Sequence, residues 1–166
     1  VPLINDMRDR NTFVQTKEVM HSIDEAINQV VSEGPGSRRA LNPVIIKKGE
    51  LTIMTGVENQ IYWQMQTRAK IQEISPTSLP SAEAIIIEEK NLDIIEYSDP
   101  LLVDYYNIKI SLDYKDIDLT TEGESTKLTG NFGLIISNEG VGSSKSKCVI
   151  STGVGTAPNC VKIKVT

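Results

Sequence analysis

The apolar positions between Leu3 and Ser32 repeat with the period of an α-helix. They form a stripe of two rows, and the members of each row are seven positions apart. The first row is Phe13, Met20 and Ile27, and the second is Ile23 and Val30. This spacing differs from the alternation of a strand and predicts one long amphipathic helix. No Gly or Pro interrupts the segment, and Gly34-Pro35-Gly36 is a strong stop signal at its end.

The charged residues of this helix are assigned to its solvent-facing side: Asp9, Arg10, Lys17, Glu18, Asp24 and Glu25. An apolar stripe of this length needs a cover, and the face of a β-sheet is the natural one.

The remainder of the chain alternates apolar and polar residues over short stretches separated by turn residues. About ten strand candidates follow from this pattern: Val44–Lys47, Glu50–Thr55, Ile61–Arg68, Ala84–Glu89, Leu92–Tyr97, Leu101–Tyr114, Ile117–Leu119, Leu128–Ser137, Cys148–Ser151 and Cys160–Val165. Lys48-Gly49 is expected to turn the chain between the first two, and Lys90-Asn91 suits a hairpin.

This order of elements predicts an α+β, mainly β fold. We expect a long N-terminal amphipathic helix packed on an antiparallel β-sandwich or barrel-like head. Residues 1–33 form the helix and residues 34–166 form the head, and the two make one structural unit.

The charge of the chain argues against a nucleic-acid partner, because the net charge is −5 and the basic residues are scattered. The adjacent basic pairs, Arg38-Arg39 and Lys47-Lys48, are expected on solvated surface. No apolar run reaches the roughly 18 residues of a membrane span. The apolar start Val1–Ile4 gives way to polar residues, which suits either the water-side end of a missing hydrophobic segment or a frayed helix start.

The two cysteines flank a Gly-rich loop. Cys148 and Cys160 at the two ends of a predicted hairpin loop favour a disulfide and hence an oxidising compartment. The alternative is a pair of unrelated reduced thiols. A metal site is disfavoured, because two cysteines and one distant histidine do not supply the usual four ligands.

Two further groups could carry chemistry. His21, the one histidine, is expected to pair with Glu25 on the helix surface, and it is a poor candidate for a catalytic base. Asp113, Asp116 and Asp118 cluster around a turn, so calcium binding is a minor possibility without the EF-hand pattern.

Several stretches of the chain resemble archaeal type IV pilin-like proteins, including relatives of archaellins. They are Ser22–Val31 with the following Gly34–Arg39, then Lys48–Ile53, and Gly130–Gly140. The resemblance implies a peptidase-processed precursor and a mature helix that packs in a filament or stays in the membrane. It also implies a head outside the cell, without catalysis and without a cofactor.

This resemblance gives the leading hypothesis, the soluble head of a cell-surface subunit that acts in filament assembly, adhesion or envelope attachment. Its partners would be other pilin-like subunits or envelope proteins, and the membrane through a missing N-terminal segment. Part of the stripe formed by Phe13, Met20, Ile23, Ile27 and Val30 would hold the head, and its N-terminal part would meet neighbouring subunits or lipid.

Two other classes of function compete with this one. The first is a β-sandwich binding module that holds a glycan, a surface-layer protein or calcium through its loops. The second is an enzyme, which one histidine and the lack of any catalytic motif make the weakest reading.

Overall fold

The computed structural model describes residues 2–55, 58–68, 84–122, 126–141 and 159–166. In these described ranges one helix and eight strands follow each other: α1 (Pro2–Glu33), β1 (Arg38–Met54), β2 (Gln60–Thr67), β3 (Ala84–Glu89), β4 (Leu92–Ser98), β5 (Tyr106–Asp113), β6 (Ile117–Thr121), β7 (Thr126–Val141) and β8 (Asn159–Val165). The fold is therefore α+β and mainly β, with the long helix first.

The eight strands belong to one mixed sheet in the order β3-β4-β5-β2-β1-β7-β8-β6. Neighbouring strands are antiparallel except β6 and β8, which run parallel. Within the described residues β3 and β6 are open edges, so the sheet is not closed, and the expectation of an antiparallel sandwich or barrel is not confirmed.

The sheet is nevertheless strongly curled. β5 and β6 lie five places apart in the strand order, which would separate them by about 24 Å in a flat sheet. The link from Asp113 to Ile117 spans at most about 14 Å. Asn59, at the start of β2, also receives the backbone N–H of Leu119 on its Oδ1 (3.0 Å) and donates from Nδ2 to Asp118 Oδ1 (3.1 Å). The edge strand β6 therefore curls back towards the ends of β2 and β5.

Helix α1 is about 48 Å long and lies against β1, β7, β5, β8 and β2. The five residues of its apolar stripe are all buried, from Val30 at 0% to Phe13 at 8% exposed. They share one core with the inward side chains of the strands, among which Trp63 is the largest that is fully buried. No stretch of the described helix is long and apolar enough to cross a membrane.

Several strand predictions are confirmed. β3 and β4 form the hairpin around Lys90-Asn91, with Glu89 opposite Leu92. In β2 the side of Ile61, Trp63 and Met65 is buried, as the alternation predicts.

The predicted turn at Lys48-Gly49 is wrong, because β1 runs through it. The pairing of β1 with β7 shifts register between Ile46 and Leu51, so the extra residues form a bulge. The predicted strand start at Leu101 is also wrong. β5 begins at Tyr106, because Asp99 accepts the N–H groups of Leu101 and Leu102 and turns the chain there.

The expected final hairpin has only one strand in the described part of the chain. β8 pairs with β7 on one side and with β6 on the other. The candidate Cys148–Ser151 lies outside the described residues.

Candidate functional site

A cleft of about 600 Å³ opens beside the first turns of α1. The helix forms one side of it, the bulge of β1 another, and the end of β2 with Tyr105 the third. Its charged lining consists of Arg8, Asp9, Lys47, Lys48 and Arg68. We call this feature the basic cleft, because four cations and one carboxylate are found among its described lining residues.

Asp9 anchors the cleft to the core and is only 8% exposed. Its Oδ1 accepts a hydrogen bond from Lys48 Nζ at 2.7 Å, and its Oδ2 accepts one from Thr67 Oγ1 at 2.5 Å. A buried carboxylate is tolerated only with such partners. The prediction that Asp9 faces solvent is therefore wrong, and its carboxylate ties the helix to β1 and β2.

The bulge of β1 brings both lysines to the cleft. Side chains of neighbouring residues in a regular strand point to opposite faces, yet Lys47 and Lys48 both belong to the lining. The indole Nε1 of Trp63 donates to the carbonyl oxygen of Lys48 at 2.9 Å, and Gly49 takes a φ of +80°. The irregular backbone is thus held by a buried side chain and a glycine.

Arg68 is held on the opposite side of the cleft by Tyr105. Its Nε donates to the Tyr105 hydroxyl at 2.8 Å, and the guanidinium carbon lies 5.0 Å from the ring centroid. This hydrogen bond and the cation–π contact orient the guanidinium at the cleft edge.

The described lining of the basic cleft offers cations and side-chain amides to a ligand. No His or Cys occurs among the described lining residues, and the Asp9 carboxylate is occupied by Lys48 and Thr67. Cations beside the amides of Asn5, Asn11 and Gln66 suit an anionic, oxygen-rich group such as a phosphate or carboxylate.

A second buried carboxylate joins the middle of the helix to the sheet. Asp24 is 7% exposed and accepts hydrogen bonds from the Tyr114 hydroxyl and from Asn91 Nδ2, both at 2.8 Å. Burial, together with the charge of Asp24, raises the pKa of Tyr114 far above its ordinary value. The prediction that Asp24 faces solvent is wrong as well.

His21 faces the β3–β4 hairpin and not Glu25. Glu89 accepts a hydrogen bond from Lys17 at 3.0 Å, which lowers the pKa of the Glu89 carboxyl. The Nε2 of His21 lies 3.5 Å from Glu89 Oε1. That contact lacks hydrogen-bond geometry, so it acts as an ion pair only when the imidazole is protonated.

The five predicted helix residues, Phe13, Met20, Ile23, Ile27 and Val30, lie in the core and not in the cleft. Their proposed role in assembly stays a prediction. Cys160 is buried in β8. Its predicted partner Cys148 lies outside the described residues, so the disulfide also stays a prediction.

The three aspartates considered for calcium are not gathered into a metal site. Asp113 accepts a hydrogen bond from Gln60 and Asp118 accepts one from Asn59, while Asp116 is exposed. Across the described residues, no three His, Cys, Asp or Glu side chains form a group that suits a metal ion.

The basic cleft was missed because its residues come from distant parts of the sequence. The sequence pattern predicts only that the pair Lys47-Lys48 lies on solvated surface. Asp9 carried a usable signal, since it lies four positions before Phe13 and seven before Thr16. A carboxylate on the apolar side of a helix predicts a buried partner.

Comparison with known protein families, with curated proteins and with solved structures finds no match to this chain. The geometry described above is therefore the basis for a function.

Proposed function

We propose that this chain is the non-catalytic head of a pilin-like cell-surface subunit, acting in filament assembly, adhesion or envelope attachment. In this proposal α1 is the water-side part of a longer helix, and the curled sheet is the head that it carries outside the cell. The partners are other pilin-like subunits or envelope proteins, and the membrane is reached through an N-terminal extension of the helix.

One observation carries the proposal, namely how the sheet covers the helix. From Asp9 to Val30 the helix presents a continuous buried face to the sheet. Between Asn5 and Arg8 no side chain is buried, and Met7 is 59% exposed. The head therefore holds only the later turns, which leaves the first turns available for lipid or for a neighbouring subunit.

Hydrogen bonds between the helix and the head also support this proposal. Hydrogen bonds join the buried part of the helix to the sheet and its loops near its start, in its middle and at its end: Asp9 with Lys48 and Thr67, Asp24 with Tyr114, and Asn138 Nδ2 with the carbonyl oxygen of Val30 at 3.0 Å. Hydrophobic packing holds the helix against the sheet, and hydrogen bonds within this buried interface also fix its position along the sheet.

We also propose that the head is barrel-like. A barrel-like head is supported by the short link between β5 and β6 and by the hydrogen bonds of Asn59 to β6.

Surface labelling of intact cells of the source organism tests the proposal. An antibody raised against this chain should bind intact cells, and external protease should remove the signal. A cytoplasmic enzyme probed in the same samples reports lysis and serves as the control. Signal that requires lysis and survives external protease would contradict the proposal.

A further inference from the structure

We propose that the basic cleft and the neighbouring loop tip Leu101–Val103 together form a binding surface for an anionic lipid bilayer. This inference goes beyond the proposed function, because it uses only described residues and does not require a pilin-like origin.

The tip presents three successive large apolar side chains to solvent. Leu101 is 89% exposed, Leu102 46% and Val103 86%. Single exposed apolar residues are ordinary, but an adjacent group at the end of a loop is a mark of an interaction site.

The tip is held in place by hydrogen bonds. Asp99 Oδ1 accepts the backbone N–H of Leu101 at 2.9 Å and that of Leu102 at 3.1 Å. Its Oδ2 accepts from Gln66 Nε2 and Asn107 Nδ2, each at 2.9 Å. These bonds, led by that of Asn107, lower the pKa of the Asp99 carboxyl. The apolar side chains are thus displayed by a fixed turn, so little ordering entropy is lost when they are buried.

The tip adjoins the basic cleft. Tyr105 donates its backbone N–H to the carbonyl oxygen of Leu102 at 3.4 Å, and its hydroxyl accepts from Arg68 at the cleft edge. Gln66, which also lines the cleft, bonds to Asp99 at the base of the tip. Apolar and basic groups therefore share one end of the molecule, beside the first turns of α1.

The positive charge at this end of the molecule favours an anionic partner. The chain as a whole carries −5, yet Arg8, Lys47, Lys48 and Arg68 outnumber Asp9 in the cleft. Cations remain in excess when Asp99 and Asp104 of the loop are included. Apolar side chains that enter the acyl region next to cations that meet phosphates are the combination that binds anionic membranes.

Vesicle co-sedimentation of the purified chain tests this proposal. The probes are phosphatidylcholine vesicles with and without phosphatidylglycerol. We expect sedimentation with the anionic vesicles, weak or no sedimentation with the neutral ones, and release by salt, because the electrostatic part is screened.

Two variants and two matched controls locate the surface. Replacing the tip by L101S/L102S/V103S should weaken partitioning by about tenfold or more, whereas Val14→Ser, at an exposed helix position, should leave it unchanged. Lys47→Gln with Arg68→Gln should weaken binding to anionic vesicles only, and Lys115→Gln, at the exposed β5–β6 link, should not. All of these positions are exposed, so we expect each variant to fold as the parent chain does. An unchanged thermal unfolding temperature confirms this for each variant.

Three results would overturn the proposal. One is no binding to anionic vesicles, and another is equal binding by the tip variant and the parent chain. The third is concentration-dependent self-association that disappears in the tip variant while vesicle binding is absent, which would make a second copy the occupant. None of these results bears on whether the chain is found on the cell surface.

Discussion

At the scale of single residues, the buried carboxylates Asp9 and Asp24 define how the helix is seated. Each lies on the apolar face of α1, and each has both carboxylate oxygens bonded to a group from the sheet or its loops. A carboxylate buried with all its partners fixes one register of helix against sheet, since a slip of one turn would leave a charge without partners.

At Gly49 the addition of a single methyl group should be strongly destabilising. Its φ is +80°, and an added Cβ would overlap the carbonyl oxygen of Gln64 and the indole nitrogen of Trp63. Gly130 is the matched control, because its φ is +77° and nothing lies within 4 Å of the added Cβ.

We expect Gly49→Ala to lower the free energy of unfolding by about 3–5 kcal/mol, the sum of backbone strain and overlap. Gly130→Ala should lower it by about 1–2 kcal/mol from the backbone alone. Urea unfolding of both variants measures the difference, and equal values would show that the bulge relaxes around the methyl group.

At the scale of elements, the contact between α1 and the β5–β6 link depends on Tyr114 and Asp24. Because burial raises the pKa of Tyr114, the folded state holds the proton of the hydroxyl at a pH where the unfolded chain releases it. The stability that comes from this group is thus fully present below the ordinary tyrosine value of 10.0 and is lost as the pH rises above it.

Tyr114→Phe removes both the hydrogen bond and this dependence on pH. At pH 8 the variant should be less stable by about 1–3 kcal/mol. Above pH 10 the gap to the parent chain should narrow by about 1.4 kcal/mol per pH unit. Denaturant unfolding at pH 8 and pH 11 measures it, with Tyr97→Phe at an exposed position as the control. A gap of the same size at both pH values would contradict the assignment.

Elements whose pattern is local were predictable from the sequence. The spacing of Phe13, Met20 and Ile27 predicts α1, and the alternation along Ile61–Arg68 predicts β2, because both depend on residues close in the chain. β1 was divided in two because Lys48-Gly49 reads as a turn. Only the distant Trp63, which bonds to the Lys48 carbonyl, shows that the strand continues through a bulge.

Long-range arrangement was not predictable in the same way. The parallel pairing of β6 with β8 joins residues about forty positions apart, such as Leu119 and Val161, and no local pattern marks it. The basic cleft also depends on contacts between distant parts of the sequence, because its cations come from α1, β1 and the end of β2. From residue type alone, Lys47 and Lys48 are predicted to lie on solvated surface. In the folded chain both line the basic cleft.

At the scale of the whole molecule, the two ends of the helix differ in character. Near its C-terminal end, the helix is held by hydrogen bonds from the Ser37 hydroxyl and from Asn138 Nδ2 to the carbonyl oxygen of Val30. At its N-terminal end lie the exposed Met7, the basic cleft and the apolar tip. The proposed function gives this polarity a role, in which one end faces the membrane or the filament and the other faces outward.

The measurement that tests this central claim most directly is the sequence of the intact reading frame upstream of Val1. The proposed function predicts a short basic leader followed by about 20 apolar residues that continue α1 in frame. A start codon at or near Val1 would contradict it and would leave a helix-plus-sheet domain without an anchor.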